Sequence, residues 1–268
     1  FYQHVAKFSP MRIPKAYLAL SSAPDEFVLV MEDLSDWQAG DQAVGCSLRE
    51  AEVVMDALAD LHAAFWCQVD TGTMDWMPNS YPSIMSKGLY EGTAANYENF
   101  SNVFSDLLTP ELQEAKNKYL EGLPTIQSWI NDGPRTVIHG DFRLDNLFFK
   151  TADNVIDVAC CDWQASIRGK GIHDVAYFLS GNLDSELRRE HEQHLIKRWV
   201  DALESRGIID YAYERAFSDY RKAILALWSY VVNNGGLATE DQRDDDWVSA
   251  QVQRHAAAMT DHDCLALL

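Results

Sequence analysis

Positive charge is what this 268-residue sequence has least of. Lys and Arg number 22 against 41 Asp and Glu, for a formal net charge of −19 and a pI near 4.6. Nucleic acid and anionic membranes both need a positive footprint, so neither is expected as a partner. The same charge would draw in a cationic small molecule, although solubility alone accounts for it. Long apolar runs are missing as well: nothing approaches the about twenty residues that cross a bilayer. Phe1-Tyr2-Gln3-His4 has neither the basic start nor the apolar stretch of a secretion signal, and there is no starting Met. The five cysteines are odd in number and include no Cys-x-x-Cys pair. That removes a disulfide framework and a zinc finger, and it reads as free thiols in a reducing cytoplasm. No repeat and no low-complexity segment is present.

What is there is ordinary globular material. Hydrophobic residues make up 47% and charged residues 24%, enough for one sizeable core or two unequal lobes. Phe1, Tyr2 and Val5 stand at helical spacing until Pro10 and Pro14 break the pattern. Ser21 to Asp25 has turn chemistry, and Phe27–Met31 is an apolar run of strand length. Ser47 with Glu50 forms a capping box ahead of a helix that puts Val54, Leu58, Leu61 and Phe65 on one face. A second helix is expected from about 110 to 130, anchored by Leu112, Leu120, Leu123 and Ile126. Three short strands follow, at Val137-Ile138, Leu147–Phe149 and Val155–Val158, with a hairpin turn at 151–154. From Ile172 to about Leu237, and again from Asp245 onward, the pattern is helical. Asp244-Asp245-Asp246 reads as a charged helix start, with the lining of a cationic acceptor site as the alternative. Asp261–Cys264 reads as a solvated turn.

The densest polar cluster is His139-Gly140-Asp141-Phe142-Arg143-Leu144-Asp145-Asn146, set between two strand-like segments. Asp162 follows across the hairpin. Phosphoryl transfer from ATP needs a carboxylate to take or orient the proton of the attacking hydroxyl. It also needs hard oxygen ligands for Mg²⁺ on the phosphates. An Asp, an Asn five residues later and an Asp beyond a hairpin supply that set, with Asp141 as base and Asn146 and Asp162 as metal ligands. Asp and Asn also cap turns, so this reading competes with a purely local one. Arg143 reads as a brace and His139 as a structural histidine.

His-Gly-Asp-x-x-x-x-Asn is similar to the catalytic loop of the aminoglycoside phosphotransferase and choline kinase group. It also echoes the His-Arg-Asp loop of protein kinases. Asp162-Trp163-Gln164 resembles that group's metal site. Gly169 to Tyr177 resembles its following segment, in which the Asp at a helix start, here Asp174, is implied to hold the loop's backbone. Met31, Glu32, Asp33 and Leu34 resemble the interlobe hinge, whose backbone is implied to pair with adenine. Leu58–Trp66 resembles a helix of the ecdysteroid kinase-like branch. The resemblance implies a kinase-like α+β fold. Residues 1–33 would carry a truncated small lobe and the start of the hinge, and 34–268 a large, mainly helical lobe. It also implies ATP, Mg²⁺ and a small-molecule hydroxyl acceptor. No Gly-rich loop and no strand lysine can be identified before the hinge, so the phosphate-cradling half of the small lobe is expected before residue 1.

Two other functions stay open. One is a metal-dependent hydrolase built on His139, Asp141, Asp162 and His173; the other is a non-catalytic, pseudokinase-like binding module. The acidic balance points to an amino sugar or amino alcohol as acceptor, the helix at 58–66 to a bulkier apolar alcohol, and oligomeric state leaves no trace.

Overall fold

A computed structural model of the chain describes residues 1–23, 26–237 and 246–268. The first residues make turns and one 3-10 turn at Ala6–Phe8, not the helix their spacing predicts. Val5 is fully buried all the same, so the spacing marks an apolar anchor held by a turn. Strands β1 (Ala16–Ala23) and β2 (Glu26–Met31) form an antiparallel ribbon, with Leu18 opposite Val30 and Leu20 opposite Val28. β2 is the expected strand; its partner β1 carries no clear strand signal. Of the turn expected at Ser21–Asp25, Pro24 and Asp25 lie outside the described residues. Both faces of the ribbon meet solvent: Phe27, Val28 and Val30 are 70%, 54% and 47% exposed.

The chain then makes β3 (Gln38–Ala39) and enters α1 (Leu48–Ala64), capped by the full Ser47–Glu50 box. Helix α2 (Ile84–Val103) has no counterpart in the sequence reading. The helix expected over 110–130 is divided at Ala115 into α3 (Pro110–Glu114) and α4 (Lys116–Trp129). The break shifts the buried face: Tyr119 is fully buried and Leu120 only half so.

Strands β4 (Thr136–Ile138), β5 (Leu147–Ala152), β6 (Val155–Cys160) and β7 (Ile167–Gly169) come next. β5 and β6 form the expected hairpin. Its two turn residues, Asp153 and Asn154, take φ of 51° and 62°, the left-handed pair whose twist suits a tight hairpin. β3 extends that hairpin to three strands, and β4 pairs antiparallel with β7, Ile138 opposite Ile167. The polar loop and the hairpin therefore leave from, and return to, one strand pair.

Four helices complete the body: α5 (Ile172–Asn182), α6 (Ser185–Ser205), α7 (Tyr213–Gly236) and α8 (Asp246–Asp261). Every residue of α5 is buried, because α7 and α8 cover it. α1 lies on α6, where Asp56 pairs with Arg198 and Asp60 with Arg206, both at 2.7 Å. Asp244 and Asp245 lie outside the described residues. The Asp261–Cys264 segment is a turn with Asp261 and Asp263 exposed, but it is anchored at both ends. Asp261 pairs with Arg188 and Arg189, His262 contacts Glu192 at 3.1 Å, and Cys264 is fully buried. Among the described residues no helix is long and apolar enough to cross a membrane.

Candidate active site

Helix α5 holds the loop that follows β4 at three points. Asp174, in its first turn, accepts the backbone N–H groups of His139 (2.7 Å) and Gly140 (3.0 Å). Tyr177, one turn on, donates its hydroxyl to Asp141 Oδ1 at 2.8 Å. Asn182, at the helix end, accepts the Leu144 N–H at 2.9 Å. Asp174 is completely buried. Burial alone would push its carboxyl up, but the His173 and His62 rings outweigh it and hold the group well below the usual carboxylate range. The two donated amides favour the anion in the same sense. His62 is set in turn by the Trp199 indole N–H, which donates to its Nδ1 at 3.2 Å, leaving Nε2 toward Asp174 at 3.4 Å. Gly140 takes φ +83°, and a Cβ there would meet the Ala165 carbonyl oxygen at 2.4 Å, so only glycine fits the bend.

The loop and hairpin bring the three candidate polar groups to one place. Asn146 donates Nδ2 to the Asp141 carbonyl (2.9 Å) and to Asp141 Oδ2 (3.3 Å), so that among the described residues its Oδ1 is available as a hard oxygen. The Asn146 carbonyl accepts the Cys161 N–H at 2.9 Å, setting the residue before Asp162 beside it. Asp162 is exposed and left-handed, at φ 57°, a strained setting for a non-glycine residue. Among the described residues, its carboxylate meets the Gln164 amide at 3.4 Å. One amide oxygen and one exposed carboxylate fit Mg²⁺, which takes few protein ligands and fills its shell with phosphate and water.

The flanking groups brace this set. His139 is fully buried. Its Nε2 bonds the Cys161 carbonyl at 2.8 Å and its Nδ1 accepts the Asp141 N–H at 3.3 Å, so loop and hairpin are stitched through one imidazole. Arg143 lies 3.5 Å from Asp141 and 3.4 Å from Asp145, with its guanidinium over the Trp247 ring. Asp145 accepts the Gln42 N–H at 2.9 Å. The hydrolase set is not assembled: His173 is buried beside Asp174. Among the described residues no three His, Cys, Asp or Glu side chains could hold a metal together.

A cleft of about 580 Å³ opens between the β1–β2 ribbon and the Cys161–Gln164 turn, floored by Trp163, which stacks on Phe1 at 4.1 Å. Of the four hinge residues, Met31 lines it. Glu32 is tied to Arg12 at 2.6 Å, and its N–H goes to the Lys15 carbonyl at 2.9 Å. Asp33 caps a local turn through the Ser35 N–H at 2.9 Å, and Leu34 is buried with its carbonyl on the Trp37 N–H at 2.8 Å.

The ecdysteroid kinase-like family matches residues 2–207, well over half of the chain. The chain belongs to that family. Among solved structures, this ecdysteroid kinase-like chain resembles the ethanolamine kinase of Plasmodium vivax at a TM-score of 0.56 and 13% identity, over 94% of this chain and 68% of that one. It resembles a choline/ethanolamine kinase family protein from Mesorhizobium loti at 0.51 and 14%, over 100% and 85%. It also resembles aminoglycoside 2'-phosphotransferase-IIIa in its GDP complex at 0.54 and 12%, over 96% and 78%. These likenesses show a kinase-like α+β fold with a small, strand-poor lobe and a large helical one. Acyl-CoA dehydrogenase family member 11 of Homo sapiens and of Pongo abelii is 32% identical over 76 residues. That match spans 26% of this ecdysteroid kinase-like chain and 10% of the length of those relatives.

Sequence reasoning leaves three supporting residues of the site without a role. Tyr177 and Asn182 fall at +3 and +8 from Asp174, a spacing that could have flagged the first as its neighbour on one helix face. His62 reads only as a packed histidine, because its partner Asp174 lies far along the sequence.

Proposed function

We propose that this chain is an ATP-dependent small-molecule kinase that moves the γ-phosphate of ATP to a substrate hydroxyl. The observation that carries the reading is the meeting of Asp141, Asn146 and Asp162 where loop and hairpin adjoin. Membership of a kinase-like family supports it. Residues 1–33 act as the small-lobe remnant and hinge start, and 34–268 as the large lobe. The hinge at Met31–Leu34 borders the adenine through Met31, its member that lines the cleft.

Asp141, a third exposed, receives the acceptor hydroxyl on its carboxylate. As the hydroxyl oxygen bonds to the γ-phosphorus, the bond from that phosphorus to the β,γ-bridging oxygen breaks, ADP leaves, and the hydroxyl proton passes to Asp141. Asn146 and Asp162 would hold Mg²⁺, which when bound would supply neutralising charge to the phosphates. Asp174, Asn182 and His139 keep the loop in place while charge shifts, so little reorganisation is needed at the moment of transfer. The net charge of −19 favours an acceptor that carries an amine, as ethanolamine and aminoglycosides do.

Calorimetric titration of Mg·ATP into the chain and into Asp162→Asn tests the reading. Binding that requires Mg²⁺ and weakens about tenfold or more in the variant is expected. Binding indifferent to both Mg²⁺ and the substitution, or none, removes the kinase assignment for these 268 residues.

A further inference from the structure

The Asp141 carboxylate is not held evenly. Oδ2 has two long neighbours, Asn146 Nδ2 at 3.3 Å and Arg143 Nε at 3.5 Å. Oδ1 has one short one, the Tyr177 hydroxyl at 2.8 Å. An Asp carboxylate turns easily about its last bond, since that torsion is broad and two-fold. One short, charge-assisted bond to a single oxygen is what stops it. We propose that Tyr177 is the positioning residue of Asp141: its hydroxyl fixes Oδ1, so that Oδ2 is presented to the acceptor hydroxyl. The inference rests on the reading of Asp141 as the base.

Three features favour positioning over mere satisfaction of a buried hydroxyl. First, Asp141 is a third exposed, so water could solvate it without help, and the tyrosine bond is not needed to settle its charge. Second, Tyr177 is itself held. It is 5% exposed, its ring meets Tyr230 and His173 at 6.2 and 6.4 Å, and its carbonyl accepts the Asn182 side-chain amide at 3.2 Å. Third, it stands one turn after Asp174 on α5. The same helix face therefore grips the loop's backbone at 139–140 and its carboxylate at 141. Burial, and then the Asp141 charge, push the Tyr177 hydroxyl well above its ordinary value, so it keeps its proton and acts as the donor.

Hydrolysis of Mg·ATP, with water in place of the acceptor, reads the effect without a known substrate. In Tyr177→Phe, which keeps the ring, kcat should fall about 10- to 100-fold, with KM for Mg·ATP within about twofold of the parent. Tyr119→Phe is the control. It removes a fully buried hydroxyl that donates to the Leu225 carbonyl of α7 at 2.9 Å and not to the loop, and should leave kcat unchanged. With Asp141→Asn already in place, adding Tyr177→Phe should slow the reaction no further, since both act through one group. Turnover in Tyr177→Phe equal to that of the parent, or a full further loss in the double variant, overturns the inference and leaves the kinase reading intact. A parent that neither binds nor hydrolyses Mg·ATP overturns both.

Discussion

At the scale of single residues, Asp174 does the most to shape the site. It turns two backbone amides toward one buried carboxylate and so fixes the start of the loop that carries Asp141. In Asp174→Asn one of those amides faces an NH₂ group instead of an oxygen. Urea unfolding should show a loss of about 3 kcal/mol, the scale of a buried charged hydrogen bond left unmade. A loss under about 1 kcal/mol would mean that the loop is held elsewhere. The loop motif itself was legible, because its residue types and spacing are local. What Asp141 touches was not: Tyr177 lies 36 positions away, and nothing in a sequence marks a pair that only a helix can bring together. Arg143 shows the same limit, since its stacking on Trp247 joins residues from the middle and the end of the chain.

At the scale of elements, the junction of α5, α7 and α8 sets a pH dependence. His255 is buried there, with Nε2 on the Ile224 carbonyl and Nδ1 beside the Ser180 hydroxyl, both at 2.9 Å. The carbonyl keeps the proton on Nε2 of the neutral ring, and Nδ1 carries none. Burial lowers its pKa to about 4. Between that value and the ordinary 6.5 the unfolded chain binds a proton that the folded chain refuses. Stability is therefore lost as pH falls through this window, by about 2 kcal/mol between pH 7 and 5. Unfolding of the parent and of His255→Leu across that range checks this; equal pH slopes would remove His255 as the cause.

The elements also differ in legibility. The β5–β6 hairpin announces itself through apolar runs around Asp153-Asn154. Helix α2 does not, because its buried aromatics, Tyr97 and Phe100, occupy only its second half, while the first half buries Ser86 and Thr93; against α7 it closes on glycines, where a Cβ on Gly236 would strike the Asn96 Cβ at 2.4 Å and one on Gly235 the Phe100 ring at 2.8 Å. An apolar stripe of half the helix's length gives periodicity little to detect.

At the scale of the whole molecule, a buried ionic cluster ties the C-terminal segment to the body. Arg188 of α6 is 1% exposed; it bonds Glu192 at 2.7 Å and pairs with Asp261, while Tyr220 of α7 donates to Glu192 at 3.1 Å. Arg188→Met leaves Glu192 buried with its main cation gone and should cost about 3–5 kcal/mol in chemical unfolding. A neutral outcome would show that apolar packing alone holds the end of α8 in place.

The sequence by itself determined which loop carries the clustered carboxylates, which hairpin follows it, which helix is capped, and the kinase-like family to which these belong. Those signals are short-range, written in residue type and spacing over a few positions. The tertiary structure alone decided which groups act on which. It set Tyr177 against Asp141, His62 behind Asp174 and His262 against Glu192. It also left the apolar run of β2 in an open ribbon, where Phe27 is 70% exposed. Such pairings depend on how helices and strands pack over long separations, and burial depends on what covers a face; neither quantity is local in the chain.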